Sequence, residues 1–142
     1  MSQSTKYPNI DKCNPSTCIS GNMMKCNRIV ANVFRKHLKP FGITDSQLSI
    51  LFVVTKAKAV NQKKISEMLF MEKSTVNRNI TRLIDNQYLS LDSSLFLHTT
   101  TKGKLFLEEV LPHWEIAMNE IRHLLGQEGT AAVALITNKL TS

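Results

Sequence analysis

No stretch of this chain is apolar for long enough to cross a bilayer. The longest, Leu48 to Val54, is interrupted by Ser49, whereas a spanning helix needs about 20 consecutive apolar residues. The first residues, MSQSTKYPNIDKC, contain no apolar block of the secretory type. Together these absences predict a cytoplasmic protein with no membrane partner. Cysteine is scarce as well: Cys13, Cys18 and Cys26 are the only three, all in the first fifth of the sequence. An odd count without a secretion signal argues against a disulfide scaffold. The spacing C-x4-C-x7-C lacks the close C-x2-C or H-x3-H pairs of structural zinc sites, so no metal is expected. A nucleophile elbow, a phosphate loop and a metal pair are all missing. His37, His98, His113 and His123 are scattered, and Glu108-Glu109 fits the solvated side of a helix. The chain does not read as an enzyme, and no cofactor is expected. Internal repeats and low-complexity blocks are likewise absent.

What is present is positive charge, concentrated in one place. With 142 residues, 42% hydrophobic and 20% charged, the composition is that of one globular domain. The formal net charge is +7 and the pI is near 9.5. From Lys56 to Arg82 there are seven cations (Lys56, Lys58, Lys63, Lys64, Lys73, Arg78, Arg82) against two acids (Glu67, Glu72), so +5 of the excess lies in this segment. A local basic patch raises phosphate potential and encounter rate, whereas dispersed charge mainly serves solubility. No helix combines a basic face with an aromatic insertion face, so nucleic acid is favoured over an anionic membrane surface.

The same segment has the pattern of two short helices around a tight turn. Asn61 is a good N-cap for a first helix burying Ile65, Met68 and Leu69, with Lys63 and Lys64 outside. In the second helix Val76, Ile80, Leu83 and Ile84 share one flank at about 100° per residue. The opposite flank carries Ser74, Thr75, Arg78, Thr81, Arg82 and Asp85, with Asn77 at its border. Arg and Asn have forked donors that match guanine and adenine edges, and Ser, Thr and Lys hold phosphates. The bland alternative is an ordinary solvated helix face. The preceding helix and the charge distribution tip the balance to a helix-turn-helix reading double-stranded DNA, with Lys63, Lys64, Lys73, Ser74, Thr75, Asn77, Arg78, Thr81 and Arg82 as its contacts.

Around that centre, residues 1–16 are polar and contain two prolines, which predicts a loose arm. A long helix follows, its apolar positions Ile19, Met23, Cys26, Val30, Val33 and His37 falling at intervals of 4, 3, 4, 3 and 4 until Pro40 and Gly42 end it. Cys26 there is a small hydrophobe. Thr44 and Gln47 form a capping box for the next helix. After the helix-turn-helix, Tyr88 to Leu91 and Leu95 to His98 alternate about Asp92-Ser93-Ser94, which predicts a hairpin, the wing. Thr100 or Thr101 can cap a final long helix with Leu107, Leu111, Trp114, Met118, Ile121 and Leu125 in register. Pro112 should kink it, Gly126 should stop it, and residues 128–140 should form a last short helix. The first helix and the last two carry more apolar stripe than so small a core can cover. An intertwined homodimer would bury it; a single-chain bundle is the alternative.

This order of elements resembles the MarR (multiple-antibiotic-resistance regulator) family of bacterial winged helix-turn-helix transcription factors. The specific matches are MEKSTVNRNITRLIDNQYL, Met71 to Leu89, and Thr100-Thr101-Lys102-Gly103, which is similar to the Thr-x-Lys-Gly that closes the family's wing. The resemblance implies a mainly α fold with a small β-hairpin wing, an intertwined dimer of about six helices per chain. It implies dimerisation helices at 17–39 and 101–142 and a reading head at 44–100, within a single domain 17–142. The recognition helix would enter the major groove and the wings adjacent minor grooves. A small aromatic effector would bind in a cleft lined by Phe34, His37, Phe41, Phe52 and Trp114, whose bland reading is core packing. The wing departs from the pattern: no Lys or Arg occurs between Arg82 and Lys102, and Asp92-Ser93-Ser94-Leu95 stands at its tip.

The leading expectation is a homodimeric DNA-binding transcription regulator, a repressor, released by a small-molecule effector. One alternative, motivated by the uncharged wing, is a protein-interaction module with weak or lost specific DNA binding and an exposed Phe96 as contact. Another is a thiol-based redox sensor using Cys13 or Cys18.

Overall fold

Side-chain caps set where the helices begin. The computed structural model describes residues 6–142, in which six α-helices and one hairpin follow in order: α1 (Pro8–Lys12), α2 (Ile19–Leu38), α3 (Asp45–Lys56), α4 (Gln62–Leu69), α5 (Lys73–Asp85), β1 (Leu89–Leu91), β2 (Leu97–Thr99) and α6 (Thr101–Thr141). Thr44 and Gln47 form the reciprocal capping box of α3, at 3.2 Å in each direction. The Asn61 side chain accepts from Lys64 N at 2.9 Å and caps α4. Thr100 Oγ1 accepts from Gly103 N at 3.0 Å and caps α6. Each cap satisfies an amide that the helix itself leaves unpaired.

Backbone contacts divide the chain into a unit ending at Asn32 and a unit from Val33 to Ser142. Of the stretch expected as a loose arm, residues 1–5 lie outside the described residues, and the rest holds α1 and the start of a 3-10 turn, Pro15–Thr17, capped by Asn14. Every described residue before Gly21 is exposed, and so are Cys13, Cys18 and Cys26. Cys26 is therefore not covered by its own chain, as its place in the apolar register had suggested.

The second unit carries the core. Leu48, Ile50 and Leu51 of α3, Ile65 of α4, and Val76 and Leu83 of α5 are all at most 1% exposed and form one cluster with Leu89, Leu97, Leu107 and Val110. Burying each such aliphatic contributes about 1.5–3 kcal/mol, which makes this cluster the main stabilising feature of the unit. Met68, expected inside, is 48% exposed; Leu69, next along α4, packs against the core instead. Between α4 and α5 the chain reverses at Phe70, in the left-handed region at φ 53°, and Ser66 Oγ donates to Met71 O across the turn.

β1 and β2 pair antiparallel with Leu89 opposite Thr99 and Leu91 opposite Leu97. The second strand starts at Leu97, two residues later than its alternation predicts, because Leu95 lies at φ 65° and Phe96 joins the turn. Val60 accepts from Leu97 N at 2.9 Å, so the segment before α4 adds a bridge to the hairpin. A helix-turn-helix with this hairpin behind it is a winged helix-turn-helix. α6 leaves helical geometry at Gly126 (φ 67°, ψ −177°), dividing its last part from the rest as expected. Pro112 stands inside the helix, and the departure from helical dihedrals falls at Gly126 rather than there.

The start of α6 approaches the Tyr88 backbone, between α5 and β1, so closely that only glycine fits at 103. A Cβ there would sit 2.4 Å from the Tyr88 carbonyl oxygen and 2.9 Å from Thr99 Cγ2. Gly103→Ala, although it puts the better helix former into a helix, should therefore lower stability by about 1–3 kcal/mol, read from the denaturant midpoint. Equal or greater stability would show that the contact is not tight.

Candidate nucleic-acid interface

α5 is a helix with two chemically opposed flanks. Val76, Ile80 and Leu83 are buried, Ile84 is half-buried, and Ser74, Asn77, Arg78, Thr81, Arg82 and Asp85 face water. Thr75 is half-buried, and its carbonyl accepts from the Asn79 amide at 3.0 Å. Asn79 is 8% exposed, a buried polar group that apolar periodicity gives no means of finding. Thr81 Oγ1 donates to Asn77 O at 2.9 Å, which fixes the hydroxyl on the outer face.

α4 brings its cations alongside. Lys63 and Lys64 are exposed on its first turn, and Gln62 Nε2 donates to Lys73 O at 3.2 Å, tying the start of α4 to the start of α5. A cleft of about 630 Å³ runs between these helices and the wing, lined by Lys63, Lys73, Asn77 and Thr81 together with Leu91 and Leu95. The structure thus brings four of the predicted DNA contacts to one cleft. Arg78, Arg82, Ser74 and Lys64 are exposed on the same two helices.

The wing tip is held by one carboxylate. Asp92 Oδ1 accepts from Ser94 N at 2.8 Å and Phe96 N at 3.0 Å, and Oδ2 lies 2.6 Å from His98 Nε2. The His98 contact, followed by the Phe96 amide, holds the Asp92 carboxyl below its usual range. Phe96 is half-buried rather than exposed, and Leu95 is the apolar residue left in water, at 66%.

The residues expected to line an effector cleft lie apart from this surface. Phe34, Phe41, Phe52 and Trp114 are partly buried against the core cluster. Phe52 meets Trp114 edge-on at 5.7 Å, and Phe41 meets His113 at 4.8 Å. His37 Nε2 lies 2.7 Å from Glu120 Oε2, and Lys36 Nζ lies 2.7 Å from Oε1 of the same carboxylate. Lys36 and then His37 lower the Glu120 pKa from its ordinary value. No local pattern announces Glu120, since its partners are 84 and 83 residues away. Among the described residues no group of His, Cys, Asp or Glu side chains could hold a metal ion, and no helix is long and apolar enough to cross a membrane.

The Asp92 contacts carry a pH signature. Because the folded-state pKa lies below the unfolded one, the carboxylate's contribution is fully present above about pH 4 and lost as pH falls through the folded value. An NMR titration should place the Asp92 carboxyl below the ordinary range, and His98→Ala should raise it toward that range. An unshifted Asp92 in the intact chain would show that the His98 contact does not form.

Comparison with known proteins agrees with this geometry. Residues 41–94 match the model of the MarR family. An HTH-type transcriptional regulator of Bacillus subtilis (strain 168), YwoH, is 36% identical over 62 residues, a match spanning 44% of this chain and 45% of that relative. The chain therefore matches less than half the length of this curated relative. Among solved structures, BpsR of Bordetella bronchiseptica, described for the regulation of its DNA binding by 6-hydroxynicotinic acid, is 16% identical with a TM-score of 0.81, over 92% of this chain and 97% of that one. The reduced form of MarR from E. coli is also 16% identical, with a TM-score of 0.71 over 92% and 96% of the two chains. The match to the MarR family thus lies on the winged helix-turn-helix, residues 41–94, and the chain shares its fold with these solved structures.

Proposed function

We propose that this chain is a cytoplasmic, homodimeric transcription regulator, a repressor, that binds double-stranded DNA sequence-specifically through α5. The observation that carries this reading is the outer flank of α5. It leaves Asn77, Arg78 and Arg82 in water on a helix whose other flank is locked into the core, beside the exposed cations Lys63, Lys64 and Lys73. A helix fixed on one side and offering forked donors on the other matches a major groove, whereas a flexible basic surface would supply only non-specific binding. In this reading Arg78 is the principal base contact and Ser74, Thr75, Asn77, Thr81 and Arg82 support it. Lys63, Lys64 and Lys73 neutralise phosphates.

The test is to select duplexes from a random pool and then titrate variants on the winner at several salt concentrations. Arg78→Ala should relax the preference at one base position, costing about 1–3 kcal/mol there. Lys64→Ala should weaken all sequences nearly equally and reduce the logarithmic salt slope by about 1. An unchanged sequence preference in Arg78→Ala would remove α5 from the major groove.

The homodimer is supported by apolar surface that a single chain leaves in water. Within the unit ending at Asn32, Ile19, Met23, Met24 and Ile29 are exposed; within the second, Ile116, Leu124, Ile136 and Leu140 are. Such faces normally find a partner. Small aromatic effectors are supported by the description of BpsR, whose DNA binding responds to 6-hydroxynicotinic acid. Phe34, His37, Phe41, Phe52 and Trp114 are the side chains to which we assign that role. Sedimentation at micromolar concentration should give twice the 16.0 kDa chain mass. Ile136→Glu, at a position 45% exposed in the single chain, should weaken the dimer about tenfold or more by placing an unpaired charge in the interface. A species at the chain mass alone would refute the dimer.

A further inference from the structure

The wing is short of the charge that a DNA-facing hairpin would be expected to use, yet its tip is strained and apolar. Leu95 occupies the left-handed region at φ 65°, where glycine is unstrained, and its side chain is 66% exposed. The turn that presents it is fixed on three sides: Leu95 N donates to Asp92 O at 3.1 Å, and the Asp92 carboxylate holds Ser94 N and Phe96 N. A costly backbone and an exposed branched aliphatic, in a turn this well tied, have no rationale inside the chain.

The cleft beside the tip supplies one. Lys63, Lys73, Asn77 and Thr81 of the helices line it together with Leu91 and Leu95 of the hairpin and the buried Ile80 and Leu97. Cations beside aliphatic side chains suit a sugar-phosphate strand, whose phosphates seek the lysines and whose deoxyribose faces are apolar. With α5 in the major groove, the strand seated in that cleft is the one bounding the groove, and the hairpin beyond it stands over the minor groove. Minor grooves are read by Arg, Lys, Asn or Gln, or entered by apolar wedges that part adjacent base pairs. None of those four residue types occurs from Tyr88 to Thr101, which leaves the wedge. We propose that Leu95 is an aliphatic wedge at the minor groove flanking each half-site, contributing affinity and a preference for easily unstacked steps there. This rests on the DNA-binding reading given above.

The experiment uses the full-length protein and the duplex selected by the wild type, with 2-aminopurine at the flanking step. Leu95→Gly relieves the left-handed strain, so its melting temperature should equal or exceed that of the wild type while its affinity falls about tenfold. The salt slope should stay the same, because no phosphate contact is lost, and the fluorescence rise on binding should disappear. Leu95→Met, which keeps an apolar tip, should restore most of the affinity and the fluorescence. If the wild type binds selectively but Leu95→Gly matches it in affinity and fluorescence, the wedge is overturned and the recognition helix stands. If the wild type selects no sequence, both fall.

Discussion

The contact between Gly103 and the Tyr88 carbonyl is the constraint on which the winged helix-turn-helix depends. It allows the first turn of α6 to lie against the segment between α5 and β1, and the neighbouring side chains then lock the junction. Thr100 Oγ1 caps α6 and also reaches Gln87 O at 2.6 Å and Tyr88 O at 3.2 Å. Lys102 Nζ donates to Asn86 O at 3.0 Å and lies 5.4 Å from the centre of the Tyr88 ring. Tyr88 stacks on Phe106 at 4.3 Å, and Phe106 meets Phe41 edge-on at 6.3 Å. The end of α5, the close of the wing and the start of α6 thereby share one set of bonds. A Cβ at 103 would push the two backbones apart and loosen all of them at once.

The junction also explains the division of labour along α5. Its inner flank and its C-terminal end are committed to packing, so the outer flank is free to be cationic at no cost to the core. Exposed Arg78 and Arg82 would repel one another and Lys73 modestly in an isolated chain. That repulsion is tolerable because the buried aliphatics contribute several times more than surface charges remove. Charge and stability therefore sit on opposite sides of the same helix. This permits a strongly basic patch on a chain whose core is wholly aliphatic at its centre.

What the sequence disclosed was what local chemistry encodes. The Thr44–Gln47 box, the Asn61 cap and the Thr100 cap are written in residues three apart, and all three form. The two flanks of α5 follow from helical period alone, and Gly126 breaks α6 where its φ requires it. Misreadings arose where tertiary context overrode the local rule. Met68 fits the apolar period of α4 but faces water because the core lies on the flank shared by Ile65 and Leu69, four residues apart. The late start of β2 follows from Leu95 adopting a conformation that glycine or asparagine would have announced. Glu120 holds Lys36 and His37 across more than eighty residues, a pairing no window along the chain can see. Exposure of Cys26 belongs to the same class, since an apolar register says which face is sticky and not what covers it.

The wing, finally, is not a free arm. Thr55 Oγ1 lies 2.7 Å from Thr99 Oγ1, Leu97 N reaches Val60 O, and Leu97 is 3% exposed in the common core. α3 and the segment before α4 therefore hold one edge of the hairpin, while Thr100 and Gly103 hold its exit. Because α4 and α5 pack on the same core, the hairpin and the outer face of α5 keep a fixed spacing. On the DNA-binding reading proposed above, a fixed spacing would limit which duplex geometries can meet both elements together, and the sequence-dependent stiffness of the duplex would enter recognition even at positions that no side chain touches.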